Sequence, residues 1–380
     1  MTPIYLDNAA STRVSDDVLA QMTEVMRTAW GNPSAAHPQG AAARAFIDAA
    51  RKRLLAALGD PGTAGDVIWT SGCTEADALA VYGGAHAKPG AIVITAIEHP
   101  AVTSAAARLA AMGRTVITVE PGSDGVIDPD TIAEASANAA LVAVVMVQNE
   151  IGTTQPIAAI INAVRGRAPH AHIHVDAAQA VGKVPLDVTT LGADSIAIAG
   201  HKFHGPKGTG ALWLRAGATI EPLWVGGGQQ RGLRGGTQDA PGAAGLGLAA
   251  ERAIAAMPAA RIRWLELANR VTQTLEARGV PYRQLVPDQR RAPHILALGI
   301  PGVPADALRT VLSSRGVYIS TGSSCADGKQ GKPSAVLTAI NLAQDAGMVR
   351  LSFGLETTAA EVADAAKILA DVASELRDRR

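Results

Sequence analysis

The sequence predicts an α/β protein with a large domain built on a mostly parallel sheet and a smaller α+β domain. Three observations carry this. The 380 residues, 48% of them hydrophobic, supply a sizeable core and enough chain for two domains. From about residue 15 to 255, short β-rich apolar runs alternate with Ala-rich stretches of helix length, the mark of βα units around a parallel sheet. Beyond about residue 257 a long helical stretch precedes three short apolar runs and a terminal helix, which reads as α+β. The division expected is a large domain over 15–256 and a small domain made of 1–14 and 257–380.

In chain order, the apolar runs predict strands at 66–70, 91–96, 115–119, 141–147, 172–176, 195–199 and 210–214. Stretches 41–58, 75–86 and 101–112 between them have helix length and helix-forming composition. Residues 221–247 are dense in glycine and read as a long irregular surface segment leading into a helix, of a length that suggests function or a partner subunit. In the second domain, strands are expected near 294–298, 317–320 and 349–353. The sequence has no internal repeat and no low-complexity tail.

Lys plus Arg balance Asp plus Glu at 34 each, so no bulk field favours nucleic acid or an anionic membrane. The longest apolar runs are of strand length and too short to cross a bilayer. The first twelve residues, MTPIYLDNAAST, lack the basic and apolar stretches of a signal peptide. Two cysteines, Cys73 and Cys325, fit a reducing compartment, and the expected location is the cytoplasm.

Ligands of open α/β sheets bind at the carboxyl ends of strands, so polar residues just after an apolar run carry most weight. Ser71, Gly72, Cys73 and Thr74 follow the first such strand and precede a helix expected to begin at Glu75. Small residues there let backbone N–H groups surround a phosphate, with the Thr74 hydroxyl adding a bond, although Ser and Thr also serve as plain helix caps. The next strand ends in Glu98-His99-Pro100, where His99 has no visible partner. Strand 172–176 delivers Asp176 and then Gln179. Such an Asp either caps the following helix or keeps a pyridine nitrogen protonated, which makes the ring an electron sink. After 195–199 come Gly200-His201-Lys202, and a lysine leaving a buried strand suits a Schiff base with a carbonyl cofactor. A phosphate site, an Asp, a ring-stacking His and a Lys on one sheet edge together describe pyridoxal 5′-phosphate.

In the second domain TGSSCADGKQG, residues 321–331, is small, polar and Gly-rich, and is expected to be mobile and solvent-facing. A lone thiol there, Cys325, reads as reactive rather than as packing. Arg350 lies in an apolar run, where its fork suits a bidentate carboxylate, the alternative being an Arg on an edge strand pairing with a surface acid.

These residues resemble the cysteine desulfurase family, within the aspartate-aminotransferase-like, fold-type I pyridoxal-phosphate enzymes. The likeness runs nearly end to end through YLDNAAST (5–12), GNPS (31–34), SGCTE (71–75), EHP (98–100), QNEIG (148–152), HVDAAQ (174–179), GHK (200–202), GGGQ (226–229), RGGT (234–237), Cys325 and Arg350. The long cysteine loop is similar to the first of the family's two classes. The resemblance implies that Lys202 holds the cofactor covalently, His99 stacks on its ring and assists proton transfer, Asp176 pairs with the ring nitrogen and Gln179 bonds the phenolic oxygen. Thr74 and His201 would hold the phosphate, with Cys73 in the same cofactor-binding turn and Thr237 reaching across from the second subunit of a homodimer. Asn149 and Arg350 would grip the substrate carboxylate. Two positions depart from the pattern: Ala199 stands where a Ser is usual, and Cys73 where an Ala is common.

The activity implied is conversion of L-cysteine to L-alanine, with Cys325 attacking the substrate sulfur to become a persulfide that passes to an acceptor. No metal is implied. A selenocysteine lyase or another carbon–sulfur lyase on the same scaffold is the rival enzyme reading, and a non-catalytic assembly scaffold the rival of another class. Iron–sulfur clusters, thio-modified nucleic acid, thiamin-like cofactors and secondary metabolites all draw on such sulfur, and the acceptor surface has no readable motif.

Overall fold

In the computed structural model, which describes residues 3–321, 334–342 and 346–378, the chain enters through a short strand β1 (Ile4–Tyr5) and helices α1 (Asp16–Thr28) and α2 (Pro38–Ala57). Alternation follows: β2 (Gly65–Thr70), α3 (Cys73–His86), β3 (Ala91–Thr95), α4 (Pro100–Ala111), β4 (Val116–Val119), α5 (Pro129–Ala135), β5 (Ala139–Val145) and α6 (Ile157–Arg167). Then come β6 (His172–Asp176), α7 (Val188–Leu191), β7 (Ser195–Ala199) and β8 (Gly210–Arg215). Helix α8 (Ala240–Ala277) leads to β9 (Arg283–Gln284), β10 (Ile295–Pro301), α9 (Ala305–Ser314), β11 (Val317–Tyr318), α10 (Ala335–Ala339), β12 (Ala346–Ser352) and α11 (Ala359–Asp378).

The main sheet has the order β2-β8-β7-β6-β5-β3-β4. Strand β8 runs antiparallel to both neighbours and every other pairing is parallel, so the mostly parallel sheet read from the sequence is present. The period of two divides its faces. Val142, Val144, Ile173, Val175, Ile196 and Ile198 belong to one core with α2, α6 and the start of α8. Leu141 and Ala143 face the opposite way, into a cluster under α3 and α4. The strand expected at 141–147 ends two residues early, because Val147 leaves the ladder and bridges to Thr154 instead.

A second core gathers Leu6, β10, β12, α9, α11 and the far half of α8. Strand β1 pairs with β11, so the first residues of the chain pack with its last third. No helix among the described residues is long and apolar enough to cross a membrane.

One reading is corrected. Residues 221–247 were expected to be irregular throughout, but α8 begins at Ala240, capped by Asp239, whose side chain accepts from the Gly242 N–H. Gly245 and Gly247 inside this helix serve close packing rather than turns. A Cβ on Gly247 would lie 2.7 Å from Ala50 Cα on α2, and one on Gly245 would meet Met22. The long helix expected only beyond about 257 is the continuation of this one. Its Pro258 falls between Ala253, which packs in the first core, and Ala260, which packs in the second.

Candidate active site

The carboxyl ends of β2, β3, β5, β6 and β7 share one edge, because β2 runs parallel to β7 through its two antiparallel pairings with β8. The 3-10 turn Gly200–Lys202 follows β7 and carries Lys202 to that edge. Its Nζ donates to the carbonyls of Ala9 (2.8 Å) and Ala10 (3.0 Å). Burial and the nearby Arg350 hold the ammonium down to about 8, against the opposing pull of Cys73, Asp176 and Asp7. An amine so poised is available as nucleophile and base near neutral pH.

Asp176 closes β6, and its Oδ1 accepts the Ala178 N–H at 2.9 Å while lying 3.6 Å from Cys73 Sγ. It thus caps the turn after β6 and also faces the site. His99 caps α4, its Nδ1 accepting the Ala101 N–H at 3.1 Å. That bond places the proton of the neutral ring on Nε2. Burial lowers the His99 pKa, with Asp176 opposing and Lys202 assisting, so the three groups lie within electrostatic reach of one another. Gln179 donates from Nε2 to Ala9 O (2.7 Å), and its Oε1 accepts from Lys183 Nζ (2.9 Å) and His294 Nε2 (3.3 Å).

Arg350 lies on β12, an edge strand of the small sheet, yet is itself 5% exposed, and its acid partner is the partly buried Asp7. Its Nη1 donates to Asn149 O at 2.7 Å and its Nη2 pairs with Asp7. Nε is buried without a partner, so the guanidinium keeps donor capacity. Asn149 meets Arg350 through its backbone carbonyl, while its side-chain Oδ1 accepts from Gln148 Nε2 at 3.4 Å.

On the phosphate side, helix α3 begins at Cys73, two residues before the expected Glu75. Gly72 precedes it at φ 155°, a backbone that disfavours any side chain, and a Cβ on Gly210 would come within 2.6 Å of the Gly72 carbonyl carbon. Cys73 and the exposed Thr74 therefore lie in the first helical turn, whose N–H groups have no intrahelical acceptor. Glu75 accepts the Ser71 N–H (2.7 Å) and binds Arg234 Nε (2.8 Å), tying the Gly-rich segment to this turn. His201 lies 3.2 Å from Ser11 Oγ through Nδ1. Burial and Lys202, Lys207 and Lys183 press its pKa to about 4, which makes it a neutral donor rather than a cation. Thr237 is exposed on the segment before α8. Cys325 lies outside the described residues.

Lys202, Gln179 and Arg350 are held by residues whose roles sequence reasoning did not assign: Asp7, Ala9, Ala10, Lys183 and His294. Lys183 carried a usable signal, a lysine inside the apolar run Val181 to Val184, which is costly unless hydrogen-bonded. Asp7, Ala9 and Ala10 lie in the YLDNAAST stretch, but nothing local marks their roles, two of which are played by backbone carbonyls, and His294 carried no signal.

Comparison with known proteins gives a concordant result. The family model described as Aminotransferase class-V matches residues 4–364. A protein named "Cysteine desulfurase" from Nostoc sp. is 36% identical, the alignment covering 99% of this chain and 94% of the relative. The solved structure titled "NIFS-LIKE PROTEIN" superposes with a TM-score of 0.90 at 31% identity, covering 99% of this chain and 100% of that one. Another, titled "SspA in complex with cysteine", gives a TM-score of 0.79 at 30% identity over 92% and 98% of the two chains.

Proposed function

Because the chain belongs to the cysteine desulfurases within the class-V aminotransferase family, it is a pyridoxal-phosphate-dependent enzyme, and we propose which of its residues convert L-cysteine to L-alanine and capture the sulfur. The observation that carries the reading is Lys202, an amine held down to about 8 between two backbone carbonyls, on the strand edge that also bears Asp176 and His99.

The residues fit pyridoxal 5′-phosphate. The first turn of α3 offers N–H groups at Cys73 and Thr74, Asp176 offers a carboxyl group for the ring nitrogen, and Gln179 offers an amide donor. When bound, this cofactor supplies an electron sink that makes the substrate Cα proton acidic and its sulfur electrophilic. Lys202 holds the cofactor and, once released, takes the proton from Cα and returns one later. His99, with Nε2 carrying its proton, donates toward the ring side of the site. Arg350 binds the substrate carboxylate through guanidinium donors that Asp7 and the Asn149 carbonyl orient. Cys325 is the nucleophile that takes the sulfur as a persulfide and passes it to an acceptor protein.

Thr74, His201 and the Thr237 of a second copy complete the phosphate site in a homodimer; the exposure of Thr237 and of neighbouring Trp224 and Val225 supports this. A cytoplasmic location and a place in iron–sulfur cluster assembly belong to the same proposal. After incubation of the purified protein with L-cysteine, peptide mass spectrometry is expected to find one added sulfur at Cys325 and alanine in solution. Alanine release at the full rate by Cys325→Ser would reject the persulfide route.

A further inference from the structure

Cys73 and Asp77 stand four residues apart in the first turns of α3, so their side chains share one face, and that face meets β6. Cys73 Sγ lies 3.6 Å from Asp176 Oδ1, and Asp77 Oδ1 lies 3.1 Å from His174 Nε2. Ligating atoms of Cys73, Asp77 and Asp176 all fall within 4.8 Å of one another. Beyond His174 the contacts continue, Nδ1 to Ser195 Oγ at 2.9 Å and Ser195 Oγ to His172 Nε2 at 2.8 Å. Asp77, His174 and Ser195 are fully buried and His172 nearly so.

Hydrogen-bond bookkeeping assigns the protons along this line. Asp77 Oδ2 is buried without a partner, and among the described residues no lysine or arginine pairs with Asp77. A carboxylate in such a place is strongly disfavoured, so Asp77 is the neutral acid. Its proton then lies on Oδ1 and is donated to His174 Nε2. His174 in turn donates from Nδ1 to Ser195 Oγ, and the Ser195 hydroxyl donates to His172 Nε2. Every contact has one donor and one acceptor. Burial, the largest cause in each case, agrees: it raises Asp77 and lowers His174 to about 3 and His172 to about 4. Glu98 also faces Asp77 and is pushed up to about 8 by burial, so it adds no anion at neutral pH. Burial, Asp77 and Asp176 raise the Cys73 thiol against the opposing Lys202, so it keeps its proton and can donate to Asp176.

We infer that Cys73 and Asp77 are positioning residues for Asp176: the thiol gives Oδ1 a hydrogen bond, and the Asp77–His174–Ser195–His172 line keeps a second acid beside it uncharged. A charged Asp77 at that distance would draw a proton onto Asp176 and take it from the ring nitrogen. The inference rests on Asp176 being the partner of that nitrogen.

The test uses the cofactor-free protein titrated with pyridoxal 5′-phosphate, reading its dissociation constant and the pH at which the visible absorption of the bound form changes. Asp77→Ala introduces no charge but leaves His174 Nε2 without its donor and the space beside Asp176 unfilled. Loss of that one buried hydrogen bond is expected to weaken binding about tenfold and move the absorption transition. Asp77→Asn restores both, because its amide gives His174 the same donor without charge. Cys73→Ala leaves the line intact and is expected to move the transition by less. Thermal midpoints of the cofactor-free variants separate a fold defect, which would lower the midpoint and leave the transition in place. Asp77→Asn as damaging as Asp77→Ala, or a transition unmoved in both Asp77→Ala and Cys73→Ala, overturns the inference while leaving the function standing. A wild-type protein that takes up no pyridoxal 5′-phosphate removes the function and the inference together.

Discussion

The wall of the site made of strand ends and the wall made of the N-terminal segment hold their side chains by different means. Asp176 closes β6 and His99 follows β3, each fixed by a bond within a few residues, whereas Lys202 follows β7 in the same sheet but has its amine held by the Ala9 and Ala10 carbonyls. Arg350, by contrast, is fixed by Asp7 and the Asn149 carbonyl, 343 and 201 residues away in sequence. The N-terminal segment belongs to the second core through Leu6 and β1, yet Ala9 O accepts from both Gln179 and Lys202 of the first. Asp176 and His99 therefore rest on the sheet, while the Lys202 amine and the Arg350 guanidinium both depend on a segment that joins the two cores.

Variants can break this contrast. The largest effect is expected for Lys202→Ala, with kcat lowered by roughly 10²–10⁴, the range of acid–base catalysis, and the visible absorption of the bound cofactor lost. Arg350→Met, on the other wall, is expected to raise KM far more than it lowers kcat. Steady-state kinetics separate the two, and an equal fall in kcat would mean that Arg350 acts at the reaction step. Asp7→Asn leaves Arg350 its Asn149 contact and is expected to raise KM about tenfold, in line with the loss of one charge-assisted hydrogen bond.

Two pH effects are smaller. With Lys202 held down to about 8, its amine-acylation rate in the cofactor-free protein, followed by peptide mass spectrometry, is expected to rise as pH passes through that value and then level. A rise that continues to the ordinary lysine range would contradict the burial. Glu98 has a folded pKa of about 8, raised above its ordinary 4.5, so the folded state binds the extra proton between those values. Its contribution to stability is present below the lower value and is lost as pH climbs toward the upper one. Glu98→Gln is expected to flatten the decline of the melting midpoint over that window, measured by calorimetry.

The same contrast explains what was legible in the sequence. Strand ends announce themselves, because an apolar run that stops at Asp176 or before Lys202 names both the strand and the residue at its mouth. The pairing of Asp7 with Arg350 leaves no local trace, since neither spacing nor composition links positions so far apart. His294, which shares Gln179 Oε1 with Lys183, is equally silent, whereas Lys183 stands out as a lysine in an apolar run. The start of α8 was misread because glycine has two uses, freedom in turns and close approach in packed helices, and Gly245 and Gly247 have the second.

The central claim is that one lysine at the mouth of β7 holds the cofactor. Borohydride reduction of the cofactor-loaded protein followed by peptide mapping tests it directly. The cofactor mass is expected on the peptide containing Lys202. Its appearance on Lys183 or Lys207, or on no lysine at all, would contradict the account.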